Sequence, residues 1–256
     1  MGKTKAAPPP KILVITGASG VGKTHFVQHN FLGLRGKSKE DILELLGRAP
    51  LKRSTLKGGK GVSSQITWHS VHGGKLAVVG GYAFDGDKQW ASKWRWKVPP
   101  TGGSDLLIPH CHEYLAKLLR GDAKVLNEHG LQTPELVVME ACTVAKVNKQ
   151  SVLDALLEAN EHGRLQVLQL TKPRAEAIAA FAARGREHDG GVVKDVPAAE
   201  VHDKYMAQVQ TIHKKLQARA TEKRIAWDDA IWKKLPYTAA KAYVAAPESG
   251  VAEFVV

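Results

Sequence analysis

Apolar residues in this chain fall into two recurring arrangements. The first is the short, nearly unbroken run: Ile12-Leu13-Val14-Ile15, the segment Lys75 to Gly80, the segment Glu135 to Glu140, and Arg164 to Leu170. Such runs, bounded by glycine or charge, predict strands covered on both faces. The second is helical spacing, which predicts helices from His25 to about Phe31, Lys39 to Leu46, Leu106 to Leu119, Arg174 to Arg186 and Ala198 to Lys223. Residues 50 to 64 read as a mobile basic loop, Lys223 to Trp227 as a last strand, and Asp229 to Lys234 as a short helix. Strands alternating with helices predict a doubly wound α/β fold. Residues 1–10 form an expected flexible arm, 11–237 one domain with an insertion at 81–105, and 238–256 a tail without informative pattern.

The first run ends in Gly17-Ala18-Ser19-Gly20-Val21-Gly22-Lys23-Thr24, which fits G-x-x-x-x-G-K-[ST] throughout and stands between an expected strand and an expected helix. The glycines let successive backbone N–H groups turn inward around phosphate, and the helix that follows adds its positive end. Lys23 is placed to reach the β- and γ-phosphates of ATP, and Thr24 to offer its hydroxyl to Mg²⁺. The fold class narrows accordingly to a three-layer P-loop NTPase fold with a central, mostly parallel sheet.

At 256 residues and 43% hydrophobic content the chain can bury one large core. No apolar stretch approaches the roughly 18 to 20 residues of a membrane span. The first ten residues lack the apolar segment of a signal peptide, so no membrane partner and a cytoplasmic location are expected. Two cysteines, Cys111 and Cys142, suit a reducing compartment. The net charge of +12 favours a polyanionic partner, although solvated lysines account for it equally well.

A phosphate loop serves kinases, GTPases and motors alike, so other residues must choose. The chain has no N-K-x-D element for guanine and is short for a helicase. Transfer to an alcohol requires a carboxylate for the hydroxyl proton and cations over the moving phosphoryl group, which Asp105 and the Arg174 to Arg186 helix supply. The layout resembles nucleoside and nucleotide kinases, with Arg184-Gly185-Arg186 as a lid-like element. More narrowly, Val79-Gly80-Gly81-Tyr82 and Gly102-Gly103-Ser104-Asp105-Leu106-Leu107 resemble the G-x-Y and G-G-[TS]-D-x-L elements of kinase-like proteins of bacteriophages. Leu168 to Glu176 is similar to their L-D-T-P-x-E junction, departing at Gln169 and Lys172. Some members phosphorylate 5-hydroxymethyluracil in DNA on the way to hypermodified thymine. The resemblance therefore implies an ATP- and Mg²⁺-dependent kinase with modified DNA as partner, acting in the host cytoplasm. A kinase of a free nucleoside or nucleotide, and a DNA-stimulated ATPase without transfer, remain the alternatives.

Asp105 is the first candidate for the base, beside glycines that permit close approach, and equally a helix N-cap. Asp85 and Asp87 are the other candidates. Glu140 ends its strand where a carboxylate holds Mg²⁺ directly or through water, or else faces solvent. Arg184 and Arg186 precede a Gly-rich turn and either close over the phosphates or complement a helix end. Trp90, Trp94 and Trp96 lie among Lys88, Lys93, Arg95 and Lys97, a mixture that fits base stacking beside phosphate contacts and also fits core packing. With Tyr82 and Gly103 they form the expected substrate side, and an extruded base would need such an aromatic pocket. His110-Cys111-His112 lacks a second pair at zinc spacing and reads as helix surface.

Overall fold

The computed structural model describes residues 7–33, 54–58, 62–66, 68–79, 84–85, 88–89, 108–128, 132–141, 150–188 and 197–256. Its strands are β1 (Lys11–Thr16), β2 (Ser54–Gly58), β3 (Val62–Ile66), β4 (Trp68–Val71), β5 (Leu76–Val79), β6 (Phe84–Asp85), β7 (Lys88–Gln89), β8 (Leu136–Glu140), β9 (Leu165–Thr171) and β10 (Trp232–Pro236). The helices are α1 (Lys23–Asn30), α2 (Ile108–Arg120), α3 (Ala123–Glu128), α4 (Gln150–Glu161), α5 (Arg174–His188), α6 (Ala198–Lys223) and α7 (Tyr237–Ala245). Six strands form the central sheet in the order β10-β9-β1-β8-β5-β4. All neighbours pair in parallel except β4, which runs antiparallel to β5 at one edge.

The apolar runs are continuous because successive side chains enter opposite layers, and both layers are covered. Ile12 and Val14 face a core closed by α2, α4 and α6, whereas Leu13 and Ile15 face a core closed by α1 and α7. The fold is thus the expected three-layer α/β arrangement, compatible with a P-loop NTPase. From β8 the chain passes through α4 and enters β9 on the far side of β1. That change of side opens a crevice at the carboxyl ends of these strands, where open α/β sheets bind ligands.

Four expectations need correction. Part of the supposed loop at 50 to 64 is strand: β2 and β3 pair antiparallel from Ser54↔Ile66 to Gly58↔Val62. Lysines there masked a Thr-Leu and Val-to-Ile pattern around a Gly-rich centre. No strand runs from Lys223 to Trp227, because Arg224 turns left-handed (φ 58°) and closes α6 with the Ile225 N–H bonded to the Ala220 carbonyl at 2.9 Å. The short helix expected at Asp229 to Lys234 is only the single 3-10 turn Asp229–Ile231, and the last strand, β10, follows it, its exposed Lys233 and Lys234 suiting a sheet edge and hiding its strand character. The tail, in turn, is structured. Ala240, Val244, Val251 and Phe254 are buried, and the Val256 N–H bonds the Asn30 carbonyl at the end of α1 at 2.9 Å. Burial of each such Val or Phe side chain contributes roughly 1.5–3 kcal/mol. The expected helix at Lys39 to Leu46 lies outside the described residues. Among the described residues no helix is long and apolar enough to cross a membrane.

Ion pairs tie α2, α4 and α6 together. Arg120 grips Glu158 at 2.6 and 2.8 Å, Arg219 grips Asp154 at 2.8 and 3.2 Å, and Lys223 reaches Asp154 at 3.1 Å. The Arg120 hydrogen bonds hold the Glu158 carboxyl below its ordinary range against the effect of burial. Burial works hardest against ionised Asp154, yet the hydrogen bonds from Arg219 and Lys223 together hold it low as well. Both groups titrate lower folded than unfolded, so their contribution is complete above the ordinary values of 3.8 and 4.5 and is lost as pH falls through the folded values. Thermal melting followed by circular dichroism is expected to show a fall of roughly 2–4 °C from these pairs below that range. The fall should vanish in the Asp154→Asn, Glu158→Gln double variant.

Candidate phosphate-binding site

The segment Gly17 to Thr24 leaves the carboxyl end of β1 and enters α1 at the crevice described above. Gly17, Gly20 and Gly22 all have positive φ, at 137°, 86° and 90°. At Gly20 the demand is steric as well: a Cβ would stand 1.9 Å from the Ala177 carbonyl oxygen of α5. Gly22 is the left-handed residue just before α1, and the helix has neither a side-chain cap nor an acidic residue in its first turn. Its first N–H groups and the positive end of its dipole therefore suit an anion. Lys23 is buried and donates from Nζ to the Ala18 carbonyl at 2.6 Å, which folds the ammonium back over the loop.

Glu140 reaches the site through strand register. It pairs with Ile15 and follows Leu136 and Val138 in parity, so its side chain enters the layer that holds α1. There its Oε2 lies 3.4 Å from the Thr24 Oγ1, and the residue is 1% exposed. Beyond it, the Ala141 N–H bonds the Ile15 carbonyl at 3.0 Å and the Thr16 hydroxyl donates to the Ala141 carbonyl at 2.6 Å. These bonds fix the strand end that carries the carboxylate. The pair supplies only hard oxygen donors, which fits Mg²⁺, a cation that completes its shell with phosphate oxygens and water.

Other elements hold the loop from outside. The His202 ring of α6 bonds the Ser19 carbonyl at 3.1 Å, and Tyr237 of α7 packs edge-on to Phe26 and hydrogen-bonds His25 at 2.8 Å. Arg174 and Asp203 join α5 to α6 through bonds of 3.0 and 2.7 Å, which hold the Asp203 carboxyl below its usual range. Beside the loop lies a cavity of about 410 Å³ lined by Gly22, His25, Lys172, Pro173, Glu176 and Tyr237 among others. Its size and its aromatic and proline walls suit a small planar ligand group.

The structure places Glu140, at the end of β8, against Thr24 of the Gly17 to Thr24 segment. Arg184 and Arg186 fall near the carboxyl end of α5, whose residue Ala177 touches the loop. Their backbone positions stand roughly 10 and 14 Å further along that helix. Asp105, Tyr82, Trp90, Trp94, Arg95, Trp96, Gly103 and Asp87 lie outside the described residues. Asp85 ends the two-residue strand β6, and His110 to His112 fall within α2.

Gln169, a departure from the resembled junction, is buried on the α6 side of the sheet and accepts a hydrogen bond from the Trp232 indole at 2.8 Å. It serves the core in this position. His202, Tyr237 and His25 escaped sequence reasoning. The available signal was a histidine on the buried stripe of α6 with Val209, Ile212 and Leu216, where helical spacing asks for an apolar residue.

Fold and loop together describe an α/β protein compatible with a P-loop NTPase-like three-layer fold, with the glycine loop at the carboxyl end of β1. No protein-family model, curated protein or solved structure matches the chain.

Proposed function

We propose that this protein is an ATP-dependent phosphotransferase whose acceptor is the 5-hydroxymethyl group of 5-hydroxymethyluracil in DNA. The observation that carries the phosphotransferase reading is the contact of Thr24 with buried Glu140 where the glycine loop enters α1, with the Lys23 ammonium folded back over the same loop. The backbone N–H groups and Lys23 would hold the phosphates, and Thr24 and Glu140 would be the protein's oxygen ligands for Mg²⁺, Glu140 directly or through water. When bound, the ion neutralises charge on the phosphate oxygens. The adjoining cavity receives the nucleotide base.

In the reaction the acceptor oxygen bonds to the γ-phosphorus while the bond to the β,γ-bridging oxygen breaks, and ADP departs. The hydroxyl proton passes to a carboxylate, assigned to Asp105 with Asp85 and Asp87 as the other candidates. Arg184 and Arg186 neutralise charge on the moving group. The choice of DNA rests on the Gly102-Gly103-Ser104-Asp105 resemblance and on the +12 charge. The substrate side comprises Tyr82, Trp90, Trp94, Arg95, Trp96 and Gly103. The proposed setting is the cytoplasm.

Transfer of labelled γ-phosphate from ATP tests this directly. Duplex DNA containing 5-hydroxymethyluracil is expected to take up label one for one with ADP released, and thymine DNA none. Label confined to the free modified nucleotide would make the protein a small-metabolite kinase. ADP release stimulated by DNA without any labelled product would make it an ATPase.

A further inference from the structure

We infer that His202 is a positioning residue that sets the orientation of the Ser19–Gly20 peptide, and so aims the Gly20 N–H at bound phosphate. The inference rests on the loop being a phosphate site. His202 is 5% exposed and lies 183 residues from Ser19 in sequence, yet its Nδ1 is 3.1 Å from the Ser19 carbonyl oxygen. A carbonyl only accepts, so Nδ1 carries the hydrogen. A trans peptide directs its C=O and N–H to opposite sides. Holding the Ser19 oxygen outward against α6 therefore turns the Gly20 N–H away from α6 and into the loop.

The peptide needs such a hold because its second residue is glycine, for which both signs of φ are accessible. Glycine is obligatory there, since α5 leaves no room for a Cβ. The close packing that excludes a side chain thus leaves the peptide free to rotate, and the histidine hydrogen bond selects one orientation. The stretch of α6 that carries the imidazole is tied to α5: the next residue, Asp203, accepts two bonds from Arg174 at the start of α5. The helix pair whose far end carries Arg184 and Arg186 is in this way keyed to the phosphate loop at its base.

Calorimetric titration with Mg²⁺·ATP and, separately, with adenosine tests the inference in four proteins: wild type, Lys23→Met, His202→Ala and His202→Asn. Asparagine places an amide N–H close to where Nδ1 stands. His202→Ala is expected to weaken ATP binding about tenfold, the worth of one well-placed hydrogen bond. Adenosine binding should be unchanged, and His202→Asn should recover ATP affinity to within about threefold of wild type. Unchanged ATP affinity in His202→Ala would overturn the inference. So would equal weakening toward ATP and adenosine, or an Asn variant as weak as Ala, since those outcomes describe general packing. Undiminished ATP binding by Lys23→Met, or none by wild type, would overturn the phosphate-site reading and the His202 role with it.

Discussion

Gly20→Ala is expected to abolish ATP binding and to lower the melting temperature by roughly 6–12 °C, which corresponds to about 3 kcal/mol for a domain of this size. The new methyl carbon would stand 1.9 Å from the Ala177 carbonyl oxygen and 2.8 Å from its carbon, at a backbone φ of 86°. Neither neighbour is the end of a flexible side chain. Ala177 belongs to the first turn of α5 and is buried, with its own N–H bonded to the Pro173 carbonyl at 2.9 Å. Either the loop or the helix must move. Gly163→Ala is the control, because its φ of 63° is equally left-handed but nothing lies within 4 Å of the added carbon. That variant should lose only about 1 kcal/mol, from backbone strain alone. Equal losses in the two variants, with ATP binding intact in both, would show that α5 does not press on the loop.

Glu140→Gln is expected to slow Mg²⁺-dependent transfer by about 10- to 100-fold while leaving the fold intact. Glutamine has the same shape, and its amide can donate to the Thr24 hydroxyl in place of the present contact at 3.4 Å. What it lacks is the negative charge that draws a hard cation to a buried position. The deficit should therefore shrink as Mg²⁺ is raised, so the measurement is initial rate against Mg²⁺ concentration. An unchanged Mg²⁺ dependence would remove Glu140 from the proposed metal site.

Strands were legible in the sequence wherever both faces are covered. β1, β5, β8 and β9 show as apolar runs because a side chain pointing either way meets a helix layer. β10 lies at the edge, where only Trp232 is buried and lysines are tolerated, so its composition resembles a loop. The bounds of α6 match the expected Ala198 to Lys223, but the segment after it reads as a strand because its left-handed turn residue is Arg224, whereas glycine is the usual marker of such a turn. The same division applies to the site. Motif spacing and strand parity suffice to bring Thr24 to Glu140, since each is fixed by local periodicity and by the pairing of β1 with β8. The His202 contact depends on how a two-helix arm crosses the loop, and no local pattern encodes that crossing.

The attachment of Val256 to Asn30 bears on when the cradle acquires its shape. One end of α1 emerges from the glycine loop, and the other is tied by the final residues of the chain, with Val251 and Phe254 buried in the same core as Phe26, Val27 and Phe31. A helix restrained at both ends has little freedom to slide or turn about its axis. The N–H groups of its first turn are therefore aligned during folding, and the entropy of ordering them is not charged against the affinity for an incoming anion. In that sense the last few residues contribute to preorganisation of a site they never touch.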